Sequence, residues 1–440
     1  MQTSRGDGGI GRHASLRCWW RELCLFKSGS PHRVERPCNI EICYKVFFIQ
    51  DMRTKMQIVF PVFFIFTIYS VVNTYLPVLL SIVGYNIENI GLLLAIFDIA
   101  GTFIAMPCVS LVSKSKNYGL ALFLLLLPCI IMPFPLINFP VFALSAICLS
   151  IYAIGYKSLI PVSDAIITNI LDGNDSEYGK IRVVGSASFV LMSLILQFFC
   201  IDRNFSSTGL FLWVAVPAML AAISIFFVPG LISGKTGSIP PLSNEQSAVS
   251  LNEDSQTFSP SFRAVIILLF IGFLALSPVN KFFSLYVRDF LHVNAGPGFW
   301  AVHAVVEIPF MIFASRIIRR YGSKKVLSCC TFAISVRLLV YIIFPSFWGA
   351  LAGQLLNSLT FGLLHPAAIS FICEHVKGKK QVTALAMYTV GANGIGNIIG
   401  SAVGGLVIAK YGFPVLFIAA ASLPPLGILL FHFMLKKTSD

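Results

Sequence analysis

Several ionisable side chains in this chain are flanked on both sides by apolar residues. His303 and Glu307 lie within WAVHAVVEIPFM (300–311), four residues apart and so on one face of a helix. Arg337 sits inside the apolar run 326–344, and His365 closes LNSLTFGLLH (356–365). A second group comes earlier: Asp98 between Phe97 and Ile99, Lys157 and Asp164 two helical turns apart, and Lys281 after Asn280. A charge at the centre of a bilayer costs about 2.5–3.5 kcal/mol on insertion scales, so such residues face partners or a water-filled cavity. These residue types support proton handling and ion recognition. Glu307 is the best proton carrier, because a carboxyl in a low-dielectric cavity can alternate between charged and neutral forms. Arg337 keeps its proton and needs a counter-charge, which is either Glu307 or a substrate carboxylate gripped in a bidentate fork. His365 can relay a proton or bind substrate, and a histidine satisfied within the core fits the same position. The plainer alternative for Glu307 is a static ion pair with Arg337 that only holds helices together. His303 by itself reads as a packing or hydrogen-bonding residue on the cavity wall.

The elements that carry these groups are membrane spans. The chain is 56% hydrophobic and 12% charged over 440 residues, with a mean hydropathy of +0.82. A soluble domain is about 25% charged, so a water-facing surface could not be covered. The apolar blocks reach about 20 residues, the length a helix needs to cross roughly 30 Å of hydrocarbon. Continuous blocks rather than a period-two alternation exclude an outer-membrane barrel. The pattern predicts an all-α polytopic membrane protein with twelve transmembrane helices in two pseudo-symmetric six-helix bundles. Residues 56–230 form the first bundle, 231–262 a polar cytoplasmic linker rich in Ser, Pro and Gly, and 263–440 the second bundle. With the first span entering from the cytoplasm, the inner loops collect most of the Lys and Arg, and the outer loops hold only Arg203, Arg288 and Lys410. That asymmetry places both termini inside, and it assigns the net charge of +13 to topology rather than to nucleic acid. The 11 cysteines show no zinc or disulfide spacing, and no metal or cofactor is expected. GANGIGNIIG (391–400) reads first as a small-residue packing stripe, with Asn393 as a possible cavity residue.

Twelve spans around a central linker resemble the major facilitator superfamily. The loop ASRIIRRYGSKK (314–325) is similar to that superfamily's signature between spans eight and nine, which implies a gating role for Arg319 and Arg320. A narrower resemblance rests on NTYLPVLLSIVGYNIENIGLLLAI (73–96), YGKIRVVGS (178–186), the Glu307 segment and LNSLTFGLLH. These look like the phenylpropionate-permease and lactose-permease-like branch, which implies proton-coupled symport of a small organic solute. Thr360, Phe361, Gly362 and His365 match the branch's tenth span, while Asn357 and Ser358 replace its His-Gly. Ala368 stands where that branch carries an acidic residue, which moves the coupling expectation onto Glu307 and Arg337, with His365 third. The superfamily brings spans two and seven together, so Asp98 and Lys281 are expected to pair across the two halves. Asp164 is expected to pair with Lys180 or Arg182 as a gate. The substrate cavity is then assigned to Asp98, Lys157, Lys281, His303, Asn357, Asn393 and Tyr75.

The function expected from these residues is secondary active transport across the inner membrane by a monomer, with a small solute, a proton and membrane lipid as partners. Basic cavity residues outnumber acidic ones, which favours a carboxylate-bearing solute over a sugar-like one. Proton-driven efflux of amphiphiles is the alternative within transport. A membrane-embedded enzyme finds no support, because no HExxH or Gly-x-Ser-x-Gly constellation occurs. Residues 1–55 fit none of this. They read as an unstructured or misassigned extension, with Cys18, Cys24, Cys38 and Cys43 at spacings of no metal site and translation starting at Met52 or Met56. Mass spectrometry of natively expressed protein is expected to find no peptide from residues 5–36, and finding one would refute the later start.

Overall fold

The computed structural model describes residues 40–105, 107, 117–170, 175–199, 207–227 and 258–436. Residues 1–39 of the extension, the linker as far as residue 257, and Lys114, Lys116 and Lys235 lie outside the described residues. Among the described residues every regular element is a helix. The order is α1 (Ile40–Ile82), α2 (Ile87–Ile99), α3 (Tyr118–Ile131), α4 (Pro133–Asn138), α5 (Phe142–Ile170), α6 (Asp175–Phe198) and α7 (Ser207–Phe226). After the linker come α8 (Pro260–Leu285), α9 (Gly296–Tyr321), α10 (Ser323–Ile343), α11 (Phe347–Leu355), α12 (Leu364–His375), α13 (Lys379–Ala386) and α14 (Ile395–Lys436).

Local chemistry marks the ends. Asn86 and Asn117 cap α2 and α3 by accepting from the amides of Asn89 and Leu120, both at 2.9 Å, and Ser259 caps α8. Among the described residues ten stretches are long and apolar enough to cross a membrane, and α7 contributes a shorter apolar segment, Leu212–Phe226. The last of the ten, Lys380–Lys436, is 57 residues long and is interrupted at Gly412, whose φ of 83° suits glycine and breaks the helical path. Proline stands inside α1, α5, α8 and α9, where it removes a ladder hydrogen bond. Four π-helical turns widen the helices at Ala100–Ile104, Tyr286–Phe290, Ser358–Leu363 and Met387–Gly394. Turns of this kind concentrate at functional sites, and three of these four begin within two residues of, or contain, a residue expected to act.

α3 packs on α5 and α7, while α8 packs on α10 and α14. Two seams join helices before the linker to helices after it: α2 against α14, and α6 against α9. Within the 391–400 stripe Gly396 and Gly400 pack on α8, and the first seam is closed by Gly405, beyond the stripe. A Cβ on Gly91 would stand 2.7 Å from the Gly405 Cα, and one on Gly405 would stand 2.8 Å from the Gly91 Cα, so the two backbones touch. At the loop end of the same interface, Arg288 donates to Ser81 Oγ at 2.7 Å. In the second seam, Gln197 of α6 donates to the Asn294 carbonyl at 2.7 Å and accepts from the Gly298 amide at 3.0 Å. Gly91→Ala or Gly405→Ala should therefore destabilise the protein by about 1–3 kcal/mol, read as a lower melting temperature in detergent. Gly391→Ala, where nothing lies within 4 Å of an added methyl, should leave melting unchanged.

Candidate functional site

Among the described residues the buried charged side chains, Arg337 and Asp98, each centre a polar cluster. The first surrounds Arg337, which α10 holds with no exposed surface at all. A guanidinium carries five N–H donors and no acceptor, so burial requires several oxygens around it. Arg337 Nη1 donates to Asn357 Oδ1 and to Thr360 Oγ1, both at 2.8 Å. Its Nη2 donates to Gln354 Oε1 at 2.8 Å, and its Nε donates to the Tyr341 hydroxyl at 3.1 Å. All of these partners are neutral. The direct Glu307–Arg337 ion pair, the plainer alternative in the sequence, is not formed among the described residues. Asn357 stands between them, accepting from Arg337 through Oδ1 and donating through Nδ2 to Glu307 Oε1 at 2.5 Å. The physical reason is spacing along α11 and the turn after it: Gln354, Asn357 and Thr360 recur every three residues and present a row of oxygens to the guanidinium. Asn357 is fully buried as the connector. His303 faces the same cluster, with Nδ1 at 3.0 Å from Gln354 Oε1 and Nε2 at 3.4 Å from Glu307 Oε1. The Ser358–Leu363 turn lies close against α9, where a Cβ on Gly362 would stand 3.3 Å from the Glu307 Cα.

His365 does not join this network. Its ring stacks on Phe361 and its Nδ1 meets the Tyr388 hydroxyl at 2.6 Å, tying α12 to the Met387–Gly394 turn.

The second cluster spans the α2–α14 seam. Asp98, 4% exposed, meets Lys281 Nζ of α8 at 2.6 Å and Lys157 Nζ of α5 at 3.7 Å, and it accepts from Ser401 Oγ at 3.3 Å. The expected pairing of Asp98 with Lys281 is thus present, between α2 and α8. One carboxylate serves two ammonium groups, so the cluster carries a surplus positive charge. Lys157 is the more open of the two, at 38% side-chain exposure against 14% for Lys281. Its Nζ lies 5.6 Å from the Phe97 ring centroid, beside a stacked Tyr69–Tyr156 pair with centroids 4.1 Å apart. Tyr156 donates to Asn73 Oδ1 at 3.2 Å, and the Tyr69 hydroxyl bonds the Tyr156 carbonyl.

The remaining expected residues distribute as follows. Arg182 Nη1 donates to both Asp164 oxygens, at 2.7 and 2.9 Å, and lies over the Phe66 ring. Arg319 and Arg320 end α9 in exposed positions, where Arg320 covers Tyr321. At that end Glu374 accepts from Ser323 at 2.9 Å and from Ser370 at 3.0 Å, a tie that the sequence reading missed. Asn393 accepts from Asn397 Nδ2 at 2.7 Å, and Asn397 Oδ1 lies 3.4 Å from Asn280 Nδ2 of α8. Tyr75 is buried and lines a small cavity with Thr74, Ser284 and Arg288. Gln354, Tyr341 and Ser401 were also missed. Tyr341 follows Arg337 by four residues and Gln354 precedes Asn357 by three, so helical spacing contained the signal.

Charged groups satisfied in the interior of long apolar helices define a multi-pass membrane protein built around a polar interior. Residues 54–419 match the MFS_1 like family, and the chain belongs to that family. The membership agrees with the superfamily resemblance carried by the spans and loops. It is 26% identical over 271 residues to the uncharacterized transporter YwbF of Bacillus subtilis (strain 168), an alignment covering 61% of this chain and 64% of that one. The chain therefore spans a little under two thirds of that relative's length. Maltose permease of Geobacillus stearothermophilus is 22% identical over 282 residues, covering 64% of this chain and 69% of the permease. The fold is shared with the crystal structure of nucleoside transporter NupG at a TM-score of 0.72 and 16% identity, covering 87% of this chain and 99% of that chain. A POT family transporter in complex with a thioalcohol conjugated peptide gives 0.67 and 14%, covering 88% and 97%.

The pairing across the seam makes a direct prediction. Asp98→Asn leaves the mostly buried Lys281 ammonium without its carboxylate and should cost about 3–5 kcal/mol of stability, with the more open Lys157, screened by solvent, adding little. Combining it with Lys281→Gln should recover part of that loss in a double-mutant cycle of melting temperatures, whereas strict additivity would mean the pair contributes nothing.

Proposed function

We propose that this protein is a secondary active transporter that moves a small organic solute by alternating access, coupled to protons in the same direction. The observation that carries this reading is the Asp98–Lys281 pair across the two halves, with the surplus Lys157 ammonium open beside stacked tyrosines. A cation held next to aromatic faces suits a carboxylate-bearing solute, and the tyrosines would also receive a sugar-like ring. The fold is read as twelve spans in two six-helix halves, with Gly412 separating the last two and α7 supplying the sixth. Both termini lie in the cytoplasm of an inner-membrane monomer, and the branch is the phenylpropionate-permease and lactose-permease-like one. Contacts between the halves gather at the end bearing Ser81, Gln197, Arg288 and Gly298, whereas Asp164–Arg182 and Ser323–Glu374 each stay within one half. That distribution supports a conformation closed at one end and open at the other. Glu307 takes the proton-carrier role, with Arg337 fixing its surroundings through Asn357. His365 and Tyr388 form a neighbouring polar pair on the same side of the cavity.

Reconstitution of the full chain in liposomes with an inward proton gradient, screened against small carboxylates, sugars and nucleosides, tests this. Uptake of at least one carboxylate should follow the gradient. Glu307→Gln should abolish gradient dependence, and Lys157→Gln should raise KM about tenfold, the loss of one partly screened charge-assisted hydrogen bond. Gradient-independent uptake, or a Glu307→Gln protein coupled like the wild type, would remove the carrier assignment.

A further inference from the structure

The Arg337 cluster determines which nitrogen of His303 carries a proton. Arg337 has donors only, so the Gln354 atom 2.8 Å from its Nη2 must be the amide oxygen. A flipped amide would set NH2 against guanidinium. That same oxygen lies 3.0 Å from His303 Nδ1. An unprotonated Nδ1 there would place two lone pairs against each other, and would gain only a 3.5 Å contact from Arg337 Nη2. Nδ1 is therefore the protonated nitrogen, and Gln354 Oε1 accepts from both His303 and Arg337. The other end of the Gln354 amide is buried without a hydrogen-bond partner among the described residues, so the oxygen alone accounts for its orientation.

With Nδ1–H fixed, a neutral imidazole presents a lone pair at Nε2, and Nε2 faces Glu307 Oε1 at 3.4 Å. The Asn357 amide already donates to that carboxyl oxygen at 2.5 Å. Lone pair against carboxylate repels, and a single proton on either atom turns the contact into a hydrogen bond.

We infer that His303 and Glu307 hold one exchangeable proton between Nε2 and Oε1, and that Gln354 is the positioning residue that keeps Nε2 available for it. The proton arrives from water at one face of the membrane and adds to the pair, giving either carboxylic acid with neutral imidazole or carboxylate with imidazolium. Its departure to water at the other face leaves a carboxylate and a neutral imidazole, with Nδ1–H unchanged throughout.

The other charged and titratable groups nearby are engaged elsewhere. From α10, Arg337 donates four of its five N–H groups to neutral oxygens, the Tyr341 hydroxyl among them. α11 and the following turn present only Gln354, Asn357 and Thr360 to this cluster. On α12, His365 is held by Tyr388 and Glu374 by Ser323 and Ser370, and on α6 Arg182 is held by Asp164. On α8, Lys281 is held by Asp98 and Arg288 by Asp289 and Ser81.

The inference rests on the reading of Glu307 as proton carrier, and its test needs no substrate. The full chain labelled with 15N-histidine is placed in nanodiscs, and the His303 signals are assigned by their disappearance in His303→Gln. Wild-type His303, where neutral, should show a protonated Nδ1 and a lone-pair Nε2. Gln354→Leu should convert it to the opposite tautomer or a mixture, while Gln354→Glu, which keeps an acceptor oxygen in place, should preserve it. Glu307→Gln should remove the pH-dependent change at Nε2. A wild-type His303 carrying its proton on Nε2, or an Nε2 titration indifferent to Glu307→Gln, would overturn the inference. Because the wild-type tautomer alone is decisive, a poorly folding variant does not blunt the test. Uncoupled uptake with the shared proton intact would instead count against the transport reading alone.

Discussion

Arg337 can lie fully buried in α10 because Gln354, Asn357, Thr360 and Tyr341 each offer it an oxygen. Much of the second half follows from that demand. Three acceptors at intervals of three residues bring α11 and the Ser358–Leu363 turn onto α10, and Asn357 then reaches α9 through Glu307 and the His303 carbonyl. Removing one of these oxygens would leave a buried cation short of a partner, which costs more than the net worth of an ordinary hydrogen bond. Neutral acceptors also leave the charge uncancelled locally. The Glu307 carboxyl therefore feels a fixed cation two hydrogen bonds away without being locked to it.

The first half satisfies its charges differently. Asp98 is bound by two lysines and a serine from three different helices, and Asp164 is bound by one arginine from the adjacent α6. A carboxylate inside hydrocarbon needs cations within reach, and here they come from across a seam as well as from the same half. That seam is tight because glycine faces glycine. Bulkier residues at Gly91 or Gly405 would hold α2 and α14 apart and lengthen the reach from Asp98 to Ser401.

How much of this could be read from the residues alone depended on the range of the interaction. Long apolar runs marked the apolar helices because hydrocarbon thickness imposes a length, and among the described residues ten helical stretches are long enough, against twelve expected spans. Asp98 with Lys281 was legible through the resemblance, which brings spans two and seven together, and Asp164 was expected to meet Lys180 or Arg182, of which it meets Arg182. Whether Glu307 pairs with Arg337 was not legible, because the arginine is satisfied by amides and hydroxyls that carry no charge signal. Gln354 and Tyr341 looked like ordinary helix residues, though their spacing from Asn357 and Arg337 was in plain view. Gln197 carried no such hint, since its partners are the Asn294 carbonyl and the Gly298 amide, and any residue supplies those groups. The π-helical turns left no compositional trace either, because they are a choice of hydrogen-bond register.

The arrangement around Asp98 bears on motion. An ion pair bridging two bodies that must part normally acts as a brake, since separation strands both charges in a poor solvent. Asp98 and Lys157 belong to helices before residue 228, and Lys281 belongs to one after residue 257. Were α8 drawn away from α2, the carboxylate would keep Lys157 beside it, like a rope made fast to a second cleat before the first is released.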